Sequence, residues 1–424
     1  MLFNYLKKIF GAATKQSMLV SLLNDSTAVT SYGGQDIYAS DYVNNCIDRV
    51  AREIGKMSVM SVVLGDDTVK RQNDELTRLF RAKPNPLQTT SDFLRACAWL
   101  RMKDCNCFIY PEFDWITDSH GNNTKYFKAL WPLNPTEIEI GTDDSGNIWE
   151  IKFRWRSGGY DILPYQDLVH LKWRRGKNLI IGGGSDFGWP DVRDLQKSVG
   201  ALGSMLDTVP KSLEASLKIT GIYHAKTIVD RDTLQQMRDD FEDHIKSSQL
   251  GIVATDLPGE FTPVNMQQAH IDDAIFKFLK GVIQERYGIS TAVLSGDYTP
   301  EQYDAFFQTC IEDFQVEFEQ AMSACLFSQR ELDLGHWLKT YCNRAAFLTN
   351  EQKIKFIDIG TRIEMVSVNE AREMFGMEPV PDGNRRFRSL NYVDSTLANS
   401  YQASMAKSGD LGKQKKGETD GKEE

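Results

Sequence analysis

The 424-residue chain is 41% hydrophobic and 25% charged, which excludes a wholly disordered or collagen-like polymer and leaves room for two or more subdomains. Its formal net charge of -10, from 49 basic and 59 acidic residues, argues against tight binding to nucleic acid through neutralised phosphates. No run of 18 apolar residues occurs, so the sequence holds no pattern for a membrane-spanning helix.

In chain order, Met1 to Gly11 mixes Phe3, Tyr5, Leu6, Ile9 and Phe10 with Lys7 and Lys8, and the charges interrupt the apolar run that a secretory signal needs. Ser40 is placed to cap a helix in which Val43, Ile47, Val50 and Ile54 form one apolar stripe. Met57 to Leu64 reads as a strand, Gly65-Asp66-Asp67 as its turn and Thr68 to Arg71 as the return. Asp74 opens a short helix to about Ala82. Pro84-Asn85-Pro86 stops it, because proline lacks the amide donor and restricts the residue before it. The next helix starts near Thr90, with Phe93, Leu94, Cys97, Ala98 and Leu100 on its buried side. Strands follow at Cys107 to Trp115, Tyr126 to Leu133, Glu137 to Ile140, Ile148 to Trp155 and Leu168 to Trp173. Asp143-Asp144-Ser145-Gly146-Asn147 and Gly158-Gly159 supply turns between them. Residues 40–175 therefore form a mixed α and β lobe.

Beyond that lobe the pattern becomes mainly helical. Gly182-Gly183-Gly184 reads as a flexible joint rather than a phosphate-cradling loop, since Ser185-Asp186-Phe187 stands where lysine and a hydroxyl residue are needed. From Asp191, Leu195, Val199, Leu202, Leu206, Val209, Leu213 and Leu217 make a narrow seam on a long helix that Pro210 should kink or interrupt. Ile219 to Tyr223, a helix from Asp232 to Ser247 and a strand from Gly251 to Thr255 read as a compact excursion. A second helix after Ile271 gathers Ile275, Phe278, Leu279, Val282 and Ile283 on one side. Its other side carries Lys277, Lys280, Glu285 and Arg286, and Gly288 ends it.

Ile289 to Tyr298 reads as a short loop. Thr299, Pro300 and Gln302 then fit the N-cap, first-turn and capping-box positions of a helix of more than six turns. Its stripe of Tyr303, Phe307, Cys310, Phe314, Phe318, Ala321 and Cys325 belongs to a core or to a subunit interface. Thr349 with Gln352 and Ser367 with Glu370 mark a small helical unit ending near Gly376, and beyond Ala406 the chain is too polar to fold alone.

No nucleophile with its base, no carboxylate pair in a known frame and no metal cluster emerges, so the sequence predicts neither catalysis nor a cofactor. Asp66-Asp67, Asp143-Asp144, Asp239-Asp240 and Asp272-Asp273 sit in turns or helix starts, where carboxylates favour local amides and the helix dipole. The six histidines, His120, His170, His224, His244, His270 and His336, are scattered. Seven cysteines, an odd number, predict reduced thiols, and Cys97, Cys105 and Cys107 lack a fourth zinc ligand and read as buried thiols.

The order of landmarks resembles the portal, or head-tail connector, family of tailed double-stranded DNA bacteriophages, in its long-tailed-phage capsid branch. Leu79-Phe80-Arg81-Ala82-Lys83-Pro84-Asn85-Pro86 before Thr89-Thr90-Ser91-Asp92-Phe93 carries the first match, and Leu130-Trp131-Pro132-Leu133-Asn134-Pro135 the second. Asp167-Leu168-Val169-His170-Leu171, the Gly288-Ile289-Ser290 loop, the helix from Pro300, and Ser367 to Arg372 with Gly376-Met377-Glu378-Pro379 complete it. Lys103-Asp104-Cys105-Asn106 departs from that pattern by lacking the usual glycine-asparagine pair, and Ala292 to Tyr298 lacks the usual prolines.

The resemblance implies an α+β, portal-type subunit with a mixed α/β wing, a helical stem, a small α/β clip and an α-helical crown. In this numbering it implies an N-terminal arm at 1–39, the wing at 40–175, a joint and first stem helix at 176–217, and the clip at 218–265. The second stem helix falls at 266–288, a channel loop at 289–299, the long helix and return to the wing at 300–344, the crown at 345–395 and a disordered charged tail at 396–424. It implies a homo-oligomer, a ring of 12 subunits at one vertex of the virion capsid, assembled in the host bacterial cytoplasm. The implied partners are the major capsid protein, the terminase large subunit, a head-tail adaptor and double-stranded DNA that passes without sequence specificity; no membrane is implied. Candidate channel-lining residues are Lys277, Lys280, Arg286, Asp297 and Tyr298. Candidate interface residues are Phe307, Phe314, Phe318, Leu202 and Leu206, and candidate terminase- or adaptor-facing residues are Arg238, His244 and Lys246. Net acidity fits a wall past which DNA slides, because strong phosphate contacts would brake it. The alternative is a metal-dependent nucleic-acid-processing enzyme such as a nuclease, which monomers with metal-dependent cleavage would reveal.

Overall fold

A computed structural model describes residues 16–20, 31–32, 35–65, 68–117, 123–142, 148–175, 181–183, 192–217, 221–225, 231–233, 235–236, 238–240, 259–263, 273–342 and 350–386. The first long helix, α1 (Asp41–Ile54), buries Val43, Ile47, Val50 and Ile54 as their spacing predicts, although Ser40 makes no side-chain cap bond. Strands β4 (Ser58–Leu64) and β5 (Val69–Arg71) pair antiparallel, with Leu64 opposite Val69. Earlier strands β1 (Gln16–Val20), β2 (Ser31–Tyr32) and β3 (Gln35–Asp36) precede a 3-10 turn at Ile37–Ala39. Asp74 caps α2 (Glu75–Ala82) by accepting the Thr77 amide at 2.9 Å, and Thr89 caps α3 (Thr90–Lys103) by accepting from Asp92 at 3.2 Å.

Two further sheets build the rest of the lobe. β6 (Asn106–Thr117) pairs with β7 (Asn123–Leu133) on one side and with β11 (Val169–Lys172) on the other. β8 (Glu137–Thr142), β9 (Ile148–Arg154) and β10 (Tyr160–Pro164) join β1 in the order β1-β8-β9-β10. Phe108, Ile138, Ile140, Ile151, Phe153, Leu168 and Ile181 close a common core between these two sheets. The turn expected at Asp143 to Asn147 lies outside the described residues.

At the heart of the lobe a polar network replaces the expected joint. Gly182 is buried, donates its amide to Asn106 Oδ1 at 2.9 Å, and lies so close that a Cβ there would collide with the Cys105 carbonyl oxygen. Gly182 is thus a packing requirement rather than a hinge, which corrects the reading of a flexible joint at that residue. Cys105 itself sits at φ 56°, in the left-handed region that favours glycine. It stands immediately before Asn106, where the family resemblance leads one to expect glycine-asparagine. Asn106 Oδ1 also meets His170 Nε2 at 3.0 Å, and the Tyr165 hydroxyl meets His170 Nδ1 at 3.0 Å.

The long helix α4 (Arg193–Leu217) runs through Pro210 without the expected interruption. β12 (Gly221–Ala225) pairs with β13 (Gly259–Pro263), a strand the sequence reading missed. Residues 231–233, 235–236 and 238–240 are helical, while Gly251 to Thr255 lies outside the described residues. α5 (Asp273–Arg286) packs against α4 and ends at Gly288, φ 68°. α6 (Thr291–Ser295) follows, then α7 (Pro300–Phe306), a π-helical turn at Phe307–Ile311, α8 (Glu312–Leu326), α9 (Gln329–Asp333) and β14 (His336–Tyr341).

The chain divides into two compact units, residues 1–298 with 305–341, and residues 299–304 with 342–424. In the first, β14 returns to pair with β4, giving the order β14-β4-β5. α8 is tied to this body by Arg101 of α3, whose buried guanidinium reaches Glu317 and Asp313 at 2.7 Å each. In the second, α10 (Asn350–Arg362) precedes α11 (Val368–Met374), and Ser367 and Glu370 form the predicted capping box. Thr349 lies outside the described residues.

Candidate functional site

The two antiparallel-striped helices α4 and α5 are buried only where they meet the lobe. Leu195 and Leu202 of α4 and Ile283 of α5 are in the core, whereas Leu206, Val209, Ile275 and Phe278 are between 44% and 67% exposed. The heptad-like spacing that predicts one continuous seam is therefore satisfied within the chain at one end and left uncovered at the other. A run of apolar side chains of this size held in water is the usual mark of a surface for another chain.

The candidate channel residues fall into different settings. Lys277 pairs with Asp273 at 2.7 Å, and that hydrogen bond raises the lysine pKa above its ordinary value. Lys280 Nζ stands 4.2 Å from the Phe276 ring centroid and 5.3 Å from that of Tyr42, so two π faces hold it. Arg286 is half-buried, and its charge acts on Tyr287, Cys105 and Tyr38. Asp297 is exposed just after Gly296, φ 86°, and the Tyr298 ring lies 5.6 Å beneath the Arg49 guanidinium. Lys280 and Tyr298 are thus brought against helix α1 through Tyr42 and Arg49, two residues that the sequence reading did not single out.

The segment read as a loop contains α6, which corrects that expectation. Ser290 Oγ accepts the Val293 amide at 3.3 Å and Gly296 supplies the left-handed C-cap, a complete helix start and stop within seven residues. Thr291 Oγ1 donates to Gln284 Oε1 at 2.9 Å, fixing α6 to the end of α5. Behind them the Cys310 thiol donates to the Gly288 carbonyl at 3.2 Å, and a Cβ on Gly288 would come within 2.7 Å of that sulfur. The π-helical turn that presents Cys310 carries no signal in the sequence.

The aromatic stripe resolves to core. Phe314 and Phe318 are 1% and 0% exposed and stack at 5.7 Å, and Phe307 is buried too, so these rings leave no area for another copy to cover. Their assignment to a subunit interface is corrected on that ground. Leu202 is likewise buried, while Leu206 is exposed. Arg238 pairs with its neighbour Asp239 at 2.6 Å, and His244 and Lys246 lie outside the described residues.

Two runs of like charge also stand out along the chain, the first extending the acidic side that Glu312, Asp313, Glu317 and Glu319 give the long helix. Residues 287–329 contain Asp297, Glu301, Asp304, Glu312, Asp313, Glu317 and Glu319 and no lysine, arginine or histidine. Residues 70–83 hold Lys70, Arg71, Arg78, Arg81 and Lys83 against only Asp74 and Glu75. The basic run is the one the sequence reading missed, and counting charge in a sliding window finds it.

Among the described residues no group of three or more His, Cys, Asp or Glu could hold a metal ion, and no helix is long and apolar enough to cross a membrane. Cys46, Cys97, Cys105 and Cys107 are buried, and burial pushes the Cys46 and Cys105 thiols up to about 12, far from a reactive thiolate.

A family model described as phage portal protein matches residues 42–376. No curated protein matches the chain. Among solved structures, a chain from the neck of a native gene transfer agent particle, computed with C12 symmetry, is similar. It has 11% identity and a TM-score of 0.55, with 86% of this chain and 96% of that one covered. A chain from the neck of the empty particle, computed with C6 symmetry, gives 12% identity and a TM-score of 0.52, covering 90% and 100%. A chain from the native particle's virion gives 13% and 0.50, covering 81% and 92%.

Proposed function

Because the chain belongs to the phage portal protein family, we propose that its copies close into a ring at one vertex of a virion and that double-stranded DNA passes through the hole. The structural role is that of a portal, and no observation favours the nuclease reading. Catalysis has no place in it: the chain builds a passage, and the work of driving DNA falls to another protein.

The observation that carries the ring is the uncovered half of the α4–α5 pair. Leu206, Val209, Ile275 and Phe278 are too large an apolar set to be left in water on a protein that buries Leu195, Leu202 and Ile283 of the same two stripes. A ring covers them repeatedly, because each subunit offers one surface to the neighbour on its left and a different one to the neighbour on its right. The C12 symmetry of the similar gene transfer agent neck supports twelve copies. In this reading α4 and α5 are the stem, residues 218–265 the clip toward terminase and adaptor, 289–299 the channel segment and 345–395 the crown. The wing at 40–175 faces the major capsid protein.

Asp297, exposed in the channel segment within a stretch (287–329) that holds no basic residue, supports a non-adhesive wall. Phosphates approaching Asp297 find repulsion instead of counterion release, so no strong contact stalls the duplex. Negative-stain images of the purified protein test the proposal. Rings with a central hole are expected, and a preparation that stays monomeric at every concentration and salt would overturn it.

A further inference from the structure

Resting on the portal reading, we propose that neighbouring copies meet head to tail through a basic strand edge on one subunit and an acidic helix face on the next. The two surfaces lie at opposite edges of one sheet, ordered β14-β4-β5.

The basic edge is β5. All three of its residues, Val69, Lys70 and Arg71, are exposed, and among the described residues no strand of the sheet lies beyond them. Leu64, directly opposite Val69 in the ladder, is exposed as well. Helix α2 packs on β4 and adds exposed Arg78 and Arg81, which line a cleft of about 480 Å³ together with Tyr126, Asn73, Thr77 and the carboxylates Asp74 and Glu75. The result is an edge that sets exposed Leu64 and Val69 beside the exposed cations Lys70, Arg71, Arg78 and Arg81 on a protein whose net charge is -10.

At the other edge β14 is closed by α8. Glu319 Oε1 accepts the Thr340 amide at 2.7 Å, and Ser323 Oγ accepts the Leu338 amide at 2.9 Å. The outer side of the same helix presents Asp313, Val316 and Gln320 as one exposed stripe, with half-buried Glu312 beside it. Asp313 remains 60% exposed although it receives Arg101. Two strand spacings and a helix diameter separate the faces by roughly 20 Å. That separation on opposite sides is what a heterologous, ring-closing contact requires.

A second copy fits the basic edge better than a duplex does. Phosphates would use the arginines and lysine but leave Leu64 and Val69 wet, whereas the α8 face offers both carboxylates and Val316. Opposite charge on the two faces also fixes which edge meets which.

The test is ring formation by light scattering and negative stain in three variants of the full chain. Lys70→Glu with Arg71→Glu should keep the parent's thermal unfolding, since both side chains are exposed, yet lower the ringed fraction about tenfold or more. Glu312→Lys with Gln320→Lys should lower the ringed fraction likewise. All four substitutions together should restore a substantial fraction of the rings, because the exchanged positions then face each other with opposite charge again. Normal rings from the first variant would overturn the proposal, and so would a combined variant no better than its parts. Normal rings with weakened duplex retention would assign the face to DNA and overturn it too. A parent that never forms rings would instead bring down the portal reading itself.

Discussion

Asp104 and His170 give the lobe two opposed responses to pH. Burial, offset in part by Lys103, raises the Asp104 carboxyl to about 7, whereas in the unfolded chain it titrates near 4. The folded state therefore holds that proton more tightly, and the stability it contributes is present at acid pH and lost as pH rises from about 4 through about 7. Burial, aided by Lys172, holds the His170 imidazole well below its usual value, so the unfolded state takes that proton first. Its contribution is present above about 6.5 and falls on acidification. Asp104→Asn should accordingly stabilise the protein by about 2–4 kcal/mol at pH 8 in urea unfolding and by nothing at pH 4. It should also unmask the loss that His170 causes below 6.5. An unchanged profile would show that the carboxylate is solvated. Gly182→Ala tests the packing beside this network. With no room for a Cβ, it should cost about 3 kcal/mol or more by the same measurement, whereas a true joint would tolerate alanine. Neither the left-handed φ of Cys105 nor the closeness of Gly182 could be read from residue type, since both are imposed by strands more than sixty positions apart in the chain.

At the scale of elements, helix starts were the most legible feature because their signals are local. Asp74, Thr89, Thr299 and Ser367 each place an oxygen within reach of an amide three residues on. Strands β10 and β13 escaped because Tyr160–Pro164 and Gly259–Pro263 are short and mixed in polarity, and their pairing partners rather than their own periodicity make them strands. The aromatic stripe of the long helix was seen, but periodicity cannot tell whether a stripe is covered from within the chain or by another copy. The structure decides it, and the mutational expectation changes accordingly. Phe314→Ala should lower the stability of the subunit itself by about 3–5 kcal/mol, read by unfolding of the monomer, with any assembly defect following from that loss. Leu206→Asp, on a side chain already half in water, should leave the melting curve in place and remove rings. If Leu206→Asp melted like Phe314→Ala, α4 would be packed within the subunit along its whole length.

Symmetry multiplies every local choice at the scale of the assembled molecule. A single side chain facing the hole is repeated once per subunit, so a weak preference at one position becomes a belt of like charge around the duplex. Asp297, exposed at the end of α6 in a stretch with no basic residue, is where that amplification can be measured. Asp297→Lys should preserve the ring, since the side chain takes no part in the subunit core, while exchanging a repelling belt for an attracting one. The parent ring should release linear duplex readily at moderate salt with little dependence on its concentration. The variant should retain the duplex, with retention falling steeply as salt rises because each lysine that meets a phosphate releases a counterion. In a packaging reaction the same variant should slow DNA entry and exit, for the energy that holds a phosphate at one belt must be supplied again at every step of translocation. Equal retention by the two rings would mean that Asp297 points away from the passage.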